Sequence, residues 1–179
     1  MQQLQLRINE IFFSIQGESV RAGLPTTFIR LSGCPLRCRY CDTSYAFKPG
    51  PRQSIEQILE TVKTYPAKYI TVTGGEPLAQ AGSLALMTEL CDLGYQVSIE
   101  TSGAFDVAPI DERVMIVMDL KTPSSGEENK NLFSNLSALK ATDQVKFVIC
   151  DQQDYLWAKS LILQHKLQDR VDVLLSPEW

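Results

Sequence analysis

The segment Tyr69-Ile-Thr-Val-Thr-Gly-Gly-Glu-Pro77 decides the fold class, because a strand pattern leads directly into a glycine-rich turn. Residues 69–73 are all β-branched or aromatic, which favours a strand. Residues 83–91 follow a helical pattern that ends before Gly94, and residues 96–100 predict the next strand. A strand, a helix and a strand in this order predict a βαβ unit within a parallel sheet.

The same alternation extends in both directions along the chain. A capping box formed by Ser54 and Gln57 predicts the start of another helix. Further strands are predicted at 8–15, 26–31, 114–120, 145–149 and 171–175, further helices at 129–140 and 155–166, and a loop at 101–113. This α/β pattern predicts mainly parallel strands, in either an open doubly wound sheet or a partial barrel. We favour the barrel, because it brings the loops at the carboxyl ends of the strands to one centre.

Length and composition restrict the class of protein. The 179 residues predict a single domain over residues 1–179. Apolar residues make up 44% and charged residues 21%, which excludes a disordered chain and a small disulfide scaffold. A formal net charge of −4 is unsuited to a nucleic-acid partner. No apolar run reaches the ~20 residues that span a bilayer, and the first residues lack a secretory core. We therefore expect a cytoplasmic protein with no membrane partner.

Three of the five cysteines, Cys34, Cys38 and Cys41, lie within eight positions of one another. Thiolates suit zinc or an iron–sulfur cluster. A structural zinc site needs a fourth protein ligand, whereas a [4Fe–4S] cluster held by three thiolates keeps one iron open. Zinc or a plain electron-transfer cluster stays open as an alternative. Cys91 and Cys150 lie inside predicted elements, where we expect small apolar core residues.

The spacing CxxxCxxC, with Tyr40 before the last cysteine, resembles the radical S-adenosylmethionine (SAM) enzymes. Thr73-Gly-Gly-Glu-Pro77 is similar to the GGEP motif of those enzymes. This resemblance implies a partial (β/α)6 barrel of the TIM type. It also implies a [4Fe–4S] cluster whose open iron binds SAM, from which a 5′-deoxyadenosyl radical is generated.

Further motifs narrow the resemblance to one family. Asn9-Glu-Ile-Phe-Phe-Ser-Ile-Gln-Gly-Glu18, Cys41-Asp-Thr43, Ile99-Glu-Thr-Ser-Gly103, Asp119-Leu-Lys-Thr-Pro123 and Val145-Lys-Phe-Val-Ile149 resemble the 7-carboxy-7-deazaguanine synthases. That family contracts 6-carboxy-5,6,7,8-tetrahydropterin to 7-carboxy-7-deazaguanine with loss of ammonia, on the route to queuosine, a modified nucleoside of tRNA. The resemblance implies a lyase with a pterin substrate, an external electron donor such as flavodoxin, and a homodimer.

The resemblance also implies a role for each matched residue, with none acting as an acid or base. Cys34, Cys38 and Cys41 hold the cluster, and Thr43 binds Mg2+ that touches the substrate carboxylate. SAM is bound by Tyr40, Cys41, Asp42, Gly75, Glu76, Ser102, Asp119, Leu120, Lys121, Ser176, Pro177, Glu178 and Trp179. The pterin is bound by Ile15, Gln16, Gly17, Arg30 and Thr73. A structural salt bridge for Arg30, an ordinary turn at 16–18 and a capping role for Thr43 remain as alternatives.

Two features depart from the family pattern. Ser19 follows Glu18 where the family has glycine, so a positive φ there would strain the loop. The family continues beyond the sixth parallel strand with another helix, so we expect a barrel shortened at the carboxyl end and an uncovered outer face on that strand. Two rival functions remain at this point, namely a glycyl-radical-activating radical SAM enzyme and a non-catalytic iron–sulfur or zinc module.

Overall fold

The computed structural model describes residues 4–178, so Trp179 lies outside the described residues. Eight strands and three α-helices form its framework. The strands are β1 (Gln5–Ile15), β2 (Pro25–Leu31), β3 (Arg52–Ser54), β4 (Tyr69–Gly74), β5 (Gln96–Thr101), β6 (Met115–Asp119), β7 (Gln144–Ile149) and β8 (Asp172–Pro177). The helices are α1 (Ile55–Lys63), α2 (Gly82–Asp92) and α3 (Gln152–His165).

All eight strands join one sheet in the order β3-β1-β2-β4-β5-β6-β7-β8. From β2 to β8 the strands are parallel, while β1 runs antiparallel to both of its neighbours. A doubly wound sheet would reverse its strand order at a switch point. Here the parallel strands follow one another in chain order, so the sheet winds in one direction. The predicted partial barrel with mainly parallel strands is confirmed.

One face of the sheet packs against the helices. Ile70 and Val72 of β4 are fully buried there with Ile58 of α1 and Leu86 of α2. The predicted capping box is present at α1, where the Ser54 amide donates to Gln57 Oε1 at 2.8 Å. Within residues 4–178, no helix is both long and apolar enough to cross a membrane.

The other face of the sheet is polar. Side chains alternate between the two faces of a strand, so Thr71 and Thr73 point away from the helices. The strand register continues this polar row from Thr73 to Arg30 on β2 and from Asp119 on β6 to Lys146 on β7. We call this surface the inner face, because it lines the concave side of the winding sheet. It is the face on which a ligand can be enclosed.

The helix predicted at 129–140 is wrong. The chain forms short 3-10 turns at Glu128–Lys130 and Phe133–Ala138 instead. The buried Asn135 side chain donates to the carbonyls of Gly103 and Phe105 and accepts from the Val107 amide. Such side-chain bonds to backbone compete with a regular helix. They hold the irregular segment after β5 against the sheet.

Candidate active site

The cysteine loop leaves β2 at Leu31 and carries all three clustered thiols. Cys34, Cys38 and Cys41 are half-buried and form no disulfide. The Arg37 guanidinium braces the loop by donating to the Cys34 carbonyl at 2.7 Å. Burial raises the pKa of the Cys34 and Cys38 thiols, and the nearby positive charge of Lys121 opposes that rise. The loop therefore presents three thiols on one support at the carboxyl ends of the strands.

The loop after β4 packs directly beneath the cysteine loop. The Gly75 amide donates to the Leu31 carbonyl at 3.0 Å, and the Glu76 amide donates to the Gly33 carbonyl at 2.9 Å. A Cβ atom on Gly75 would lie 2.1 Å from the Gly33 oxygen and 2.9 Å from Cys34 Cβ. Only glycine fits this approach, so Gly75 fixes the position of the first thiol.

Glu76 is fully buried, and both oxygens of its carboxylate accept hydrogen bonds from the protein. Oε1 accepts from the Leu78 amide at 3.0 Å and the Thr101 hydroxyl at 2.8 Å. Oε2 accepts from the Ser102 amide at 2.8 Å and the Ser102 hydroxyl at 2.5 Å. Because four donors surround one charge, Glu76 ties the loop after β5 to the loop after β4.

Asp119, Lys121 and Tyr40 form a charged group beside the thiols. Lys121 Nζ lies 3.1 Å from Asp119 Oδ2 and 6.0 Å from the centre of the Tyr40 ring. Burial lowers the pKa of Lys121, but Asp119 and the neighbouring thiol and phenol outweigh it, so the pKa is raised overall. Burial raises the pKa of Tyr40 to about 12. Asp119 Oδ1 is buried without a partner among the described residues, which leaves an acceptor open to a bound group.

A second polar group lies deeper on the inner face. Thr73 donates to Glu100 Oε2 at 2.8 Å, and Gln16 Nε2 contacts Glu100 Oε1 at 3.4 Å and Thr71 Oγ1 at 3.2 Å. Arg30 donates to Glu10 Oε1 at 2.8 Å, which is the salt bridge considered as its alternative role. Burial is the main reason that the pKa of Glu100 is raised. The group offers amide, hydroxyl and carboxyl functions to a flat polar molecule.

The segment 16–24, which we call the floor loop, joins β1 to β2 at the amino ends of the parallel strands. It therefore closes the end of the barrel opposite the cysteine loop. Gln16 is 4% exposed and reaches up from this loop onto the inner face. Ser19 has φ 64°, so the positive φ considered for this position is present. The Ser19 hydroxyl partly compensates by accepting from the Arg21 amide at 3.1 Å.

We call the carboxyl ends of the parallel strands, with the loops that follow them, the rim. Some of the remaining predicted site residues lie on the rim, and others lie elsewhere in the chain. Thr43 is the N-cap residue directly before the 3-10 turn Ser44–Phe47, but its side chain does not cap the turn, because its hydroxyl donates to Asp42 Oδ1 at 2.8 Å. Leu120 is fully buried, so only its backbone can reach a ligand. The other predicted site residues are exposed or half-exposed, namely Ile15, Gly17, Ser176, Pro177 and Glu178.

Sequence reasoning missed Glu100 and Lys146 as individual site residues, although both lie in motifs that it quoted. The signal was available, because Ser98 and Glu100 alternate with apolar residues in β5, as Gln144 and Lys146 do in β7. It also misplaced Cys150, which is exposed rather than part of the core. Cys91 is buried in the core as predicted.

The side chains beside the cysteine loop suit an iron–sulfur cluster. Three soft thiols share one loop, whereas Cys91 lies in α2 and Cys150 lies between β7 and α3. Gly75 makes room for the close approach of the two loops, and Asp119 Oδ1 is an unfilled buried acceptor beside them. In residues 4–178, no three histidine, cysteine or acidic side chains come together as a single metal ion would require. The residues fit a group that takes three thiolates and leaves further positions for an outside ligand.

The fold and this site define a class of enzyme. The family model of the radical SAM superfamily matches residues 28–124, which include the cysteine loop, the loop after β4 and the loop after β6. The chain belongs to the radical SAM superfamily, whose members use a [4Fe–4S] cluster and SAM.

Close relatives identify the family within this superfamily. A 7-carboxy-7-deazaguanine synthase from Chlorobaculum tepidum is 43% identical over 175 residues, covering 96% of this chain and 80% of the relative. Another from Koribacter versatilis is 42% identical, covering 97% of this chain and 78% of the relative. The crystal structure of QueE from Escherichia coli superposes with a TM-score of 0.80 at 28% identity, covering 97% of this chain and 84% of that chain. The chain belongs to the 7-carboxy-7-deazaguanine synthase family.

Proposed function

We propose that residues 1–179 act as a single radical SAM domain that contracts 6-carboxy-5,6,7,8-tetrahydropterin to 7-carboxy-7-deazaguanine with loss of ammonia. The observation that carries this proposal is the placement of two chemically different groups on one concave surface. The thiols lie at its rim, and the amide and carboxyl functions of Gln16 and Glu100 lie beneath them. Similarity to the synthases from Chlorobaculum and Koribacter supports the same reaction.

The rim is proposed to bind the cluster and SAM. Cys34, Cys38 and Cys41 would hold the cluster, which together with SAM supplies the 5′-deoxyadenosyl radical when both are bound. The other proposed SAM contacts lie at the carboxyl ends of β6 and β8 or on the segments that follow β2, β4, β5, β6 and β8, namely Tyr40, Asp42, Gly75, Glu76, Ser102, Asp119, Leu120, Lys121, Ser176, Pro177 and Glu178, with Trp179 beyond the described residues. The Glu76 carboxylate already accepts hydrogen bonds from the protein at both oxygens. We therefore propose that SAM is contacted by the Glu76 backbone and by the loop at Ser102, which the carboxylate holds in place.

The inner face is proposed to bind the pterin through Ile15, Gln16, Gly17, Arg30 and Thr73. Arg30 lies on this face with its side chain 16% exposed, so a substrate carboxylate could share its guanidinium with Glu10. Glu100, which the structure adds to the set, has a raised pKa because of burial. Its two carboxyl oxygens accept from Thr73 and Gln16, so they supply acceptors to the donor edge of a pterin ring.

Magnesium is proposed to bind at Thr43 together with the substrate carboxylate. A hydroxyl oxygen is a ligand type that Mg2+ accepts, but one hydroxyl does not make a site. Asp42 Oδ1, which already accepts from the Thr43 hydroxyl, is a second hard oxygen in contact with it. The ion would therefore bind when the substrate supplies further oxygens. A homodimer, an electron donor such as flavodoxin and a cytoplasmic location complete the proposal by analogy with the family.

The test is anaerobic reconstitution with iron and sulfide, followed by incubation with SAM, a reductant and 6-carboxytetrahydropterin. The proposal expects 7-carboxy-7-deazaguanine in excess over 5′-deoxyadenosine, because loss of ammonia alone accounts for the change in composition and each turnover returns the hydrogen that the radical removes. Reductive cleavage of SAM without any conversion of the pterin would place the chain among radical SAM enzymes with a different substrate. A glycyl-radical-activating enzyme would then require a protein substrate.

A further inference from the structure

The floor loop is fastened to several strands of the barrel. The Arg21 guanidinium donates to the Gln96 carbonyl of β5 at 3.0 Å and lies over the Tyr69 ring of β4. The Val20 amide contacts Gln144 Oε1 of β7 at 3.4 Å, and Lys146 of the same strand forms an ion pair with Glu18. The loop therefore bridges the floor from β4 to β7.

The Lys146–Glu18 ion pair connects to Gln16 through short links. The Glu18 amide donates to Gln16 Oε1 at 3.2 Å, so the oxygen of the Gln16 side chain is bound by the floor loop. The amide nitrogen of Gln16 is thereby turned toward Thr71 and Glu100. A shift of Glu18 would release the oxygen of Gln16 and with it the orientation of the whole amide group.

Lys146 differs from a surface lysine in its surroundings. Its side chain is 12% exposed on the inner face, whereas Glu18 is 47% exposed at the edge of the floor. A lysine so enclosed costs free energy unless its charge has a partner. By contrast, Lys63 and Glu60 form an ion pair on α1 in which both side chains are mostly exposed. The first pair constrains two separate parts of the fold, while the second lies within one helix.

We propose that Lys146 is a positioning residue for the pterin, because its ion pair with Glu18 holds the floor loop closed and fixes the amide of Gln16 beneath the substrate. This inference rests on the proposed function for the identity of the ligand. The closure of the loop by Lys146 is a separate property of the chain and does not depend on any ligand.

The closure is tested first in the protein without cluster, SAM or pterin. Trypsin can cut after Arg21 only when the floor loop leaves the sheet, because the Arg21 guanidinium is bound to Gln96 and Tyr69. We expect cleavage after Arg21 to be about tenfold faster in Lys146→Met and Glu18→Gln, as the loss of one charged hydrogen bond predicts. Lys146→Arg retains the charge and should cleave at the original rate. Lys63→Met, which breaks the exposed pair on α1, is the matched control and should leave this rate unchanged.

The positioning role is tested next in the reconstituted enzyme. We expect Lys146→Met to raise the KM for 6-carboxytetrahydropterin by about tenfold while iron content and SAM binding stay at the original level. The exchange Glu18→Lys with Lys146→Glu should restore both the KM and the original rate of cleavage after Arg21. Glu18→Gln provides the same test if Lys146→Met fails to fold, because Glu18 is half-exposed.

Each outcome has a definite meaning. Cleavage after Arg21 that is unchanged in both Lys146→Met and Glu18→Gln would overturn the closure. Faster cleavage with an unchanged KM would overturn the positioning role. If the original protein fails to convert the pterin at all, the proposed function fails, and the trypsin experiment still decides whether Lys146 closes the floor.

Discussion

The two ends of the barrel are built in opposite ways. At the rim, the three clustered thiols form no disulfide, and Asp119 Oδ1 is buried without a hydrogen-bond partner in the described part of the chain. At the floor, the polar atoms of Gln16 and Glu18 are bound to the sheet or to the floor loop itself. One end is an open set of ligands, and the other is a fixed surface.

This difference separates reactivity from recognition. An unpaired buried polar atom is costly, so the open acceptor Asp119 Oδ1 beside the thiols indicates a site for a group that the polypeptide itself lacks. Saturated polar groups lose little freedom when a ligand arrives, because their orientation is already set. The rim can therefore change its occupants, while the floor presents an unchanging pattern of hydrogen-bond donors and acceptors.

The largest expected effect comes from removing a thiol at the rim. Alanine at Cys34, Cys38 or Cys41 leaves two thiolates, too few to hold a [4Fe–4S] cluster firmly. We expect iron content to fall severely and SAM cleavage to be lost. Iron and sulfide analysis after reconstitution measures the first, and release of 5′-deoxyadenosine measures the second.

Cys150→Ala is the matched control for the thiol variants, because Cys150 is exposed and lies between β7 and α3, outside the cysteine loop. It should retain the cluster and full SAM cleavage, and Cys91→Ala should retain the cluster at some cost in stability. A complete cluster with active SAM cleavage in Cys38→Ala would contradict the assignment of the rim.

Glu76→Gln should have the next largest effect. Whichever way the new amide turns, its NH2 group faces either the Leu78 amide or the Ser102 amide, both of which are donors. The loop after β5 then shifts away from the SAM site. We expect SAM affinity to fall by about 1.5–3 kcal/mol with the cluster intact. Equilibrium binding of SAM to the reconstituted protein measures this loss.

The Glu76→Gln variant also tests whether the loop after β4 belongs to the rim or to the floor of the barrel. Glu76 lies at the rim by its contacts with Ser102 and Thr101, so pterin affinity should change less than SAM affinity. If SAM affinity were unchanged and only pterin binding fell, the division between rim and floor would be drawn in the wrong place.

Thr43→Val tests whether the rim also holds magnesium. Valine keeps the shape of threonine and removes the oxygen. Because Thr43 makes no side-chain cap, the loss should not disturb the following turn. We expect normal iron content and some SAM cleavage without product, but ring contraction slowed about tenfold and little stimulation by Mg2+. A variant with the original turnover and the original response to Mg2+ would show that Thr43 has no such role.

The rim was far easier to predict from the sequence than the floor. Cysteine spacing and the glycines after β4 are local patterns, and the chemistry of thiols limits what they can bind. The order of strands then placed the loops together, since the carboxyl ends of parallel strands share one edge. The family resemblance and the partial barrel, which rested on these patterns, are both confirmed.

The floor depends on contacts that no local pattern contains. Glu18 pairs with Lys146 across 128 positions of the chain, and Gln16 reaches Glu100 across 84. The sequence indicates that such residues alternate with apolar ones but not which partner each will meet. The helix prediction for 129–140 was wrong for a related reason. The buried Asn135 side chain donates hydrogen bonds to backbone carbonyls that are distant in the chain, and the segment does not form a regular helix.

Ser19 gives the smallest expected effect and tests how rigid the floor is. A residue other than glycine in the left-handed region costs about 1–2 kcal/mol, and Ser19 has φ 64°. Its hydroxyl recovers part of this cost, about 0.5–1.5 kcal/mol, through the bond from the Arg21 amide. Ser19→Ala keeps the backbone cost and loses the bond, so the free energy of unfolding should fall by about 1 kcal/mol.

Ser19→Gly removes both terms at once. The backbone strain disappears, the hydroxyl bond disappears, and the greater freedom of glycine in the unfolded chain costs about 0.4–1 kcal/mol. These contributions nearly cancel, so the free energy of unfolding should stay within about 0.5 kcal/mol of the original. Urea unfolding of the original protein, Ser19→Ala and Ser19→Gly measures these free energies of unfolding, provided that the dependence on urea concentration is the same in all three. If alanine were as stable as glycine, the strain at Ser19 would be absorbed by movement of the floor loop, and the floor would not be the fixed surface that its contacts indicate.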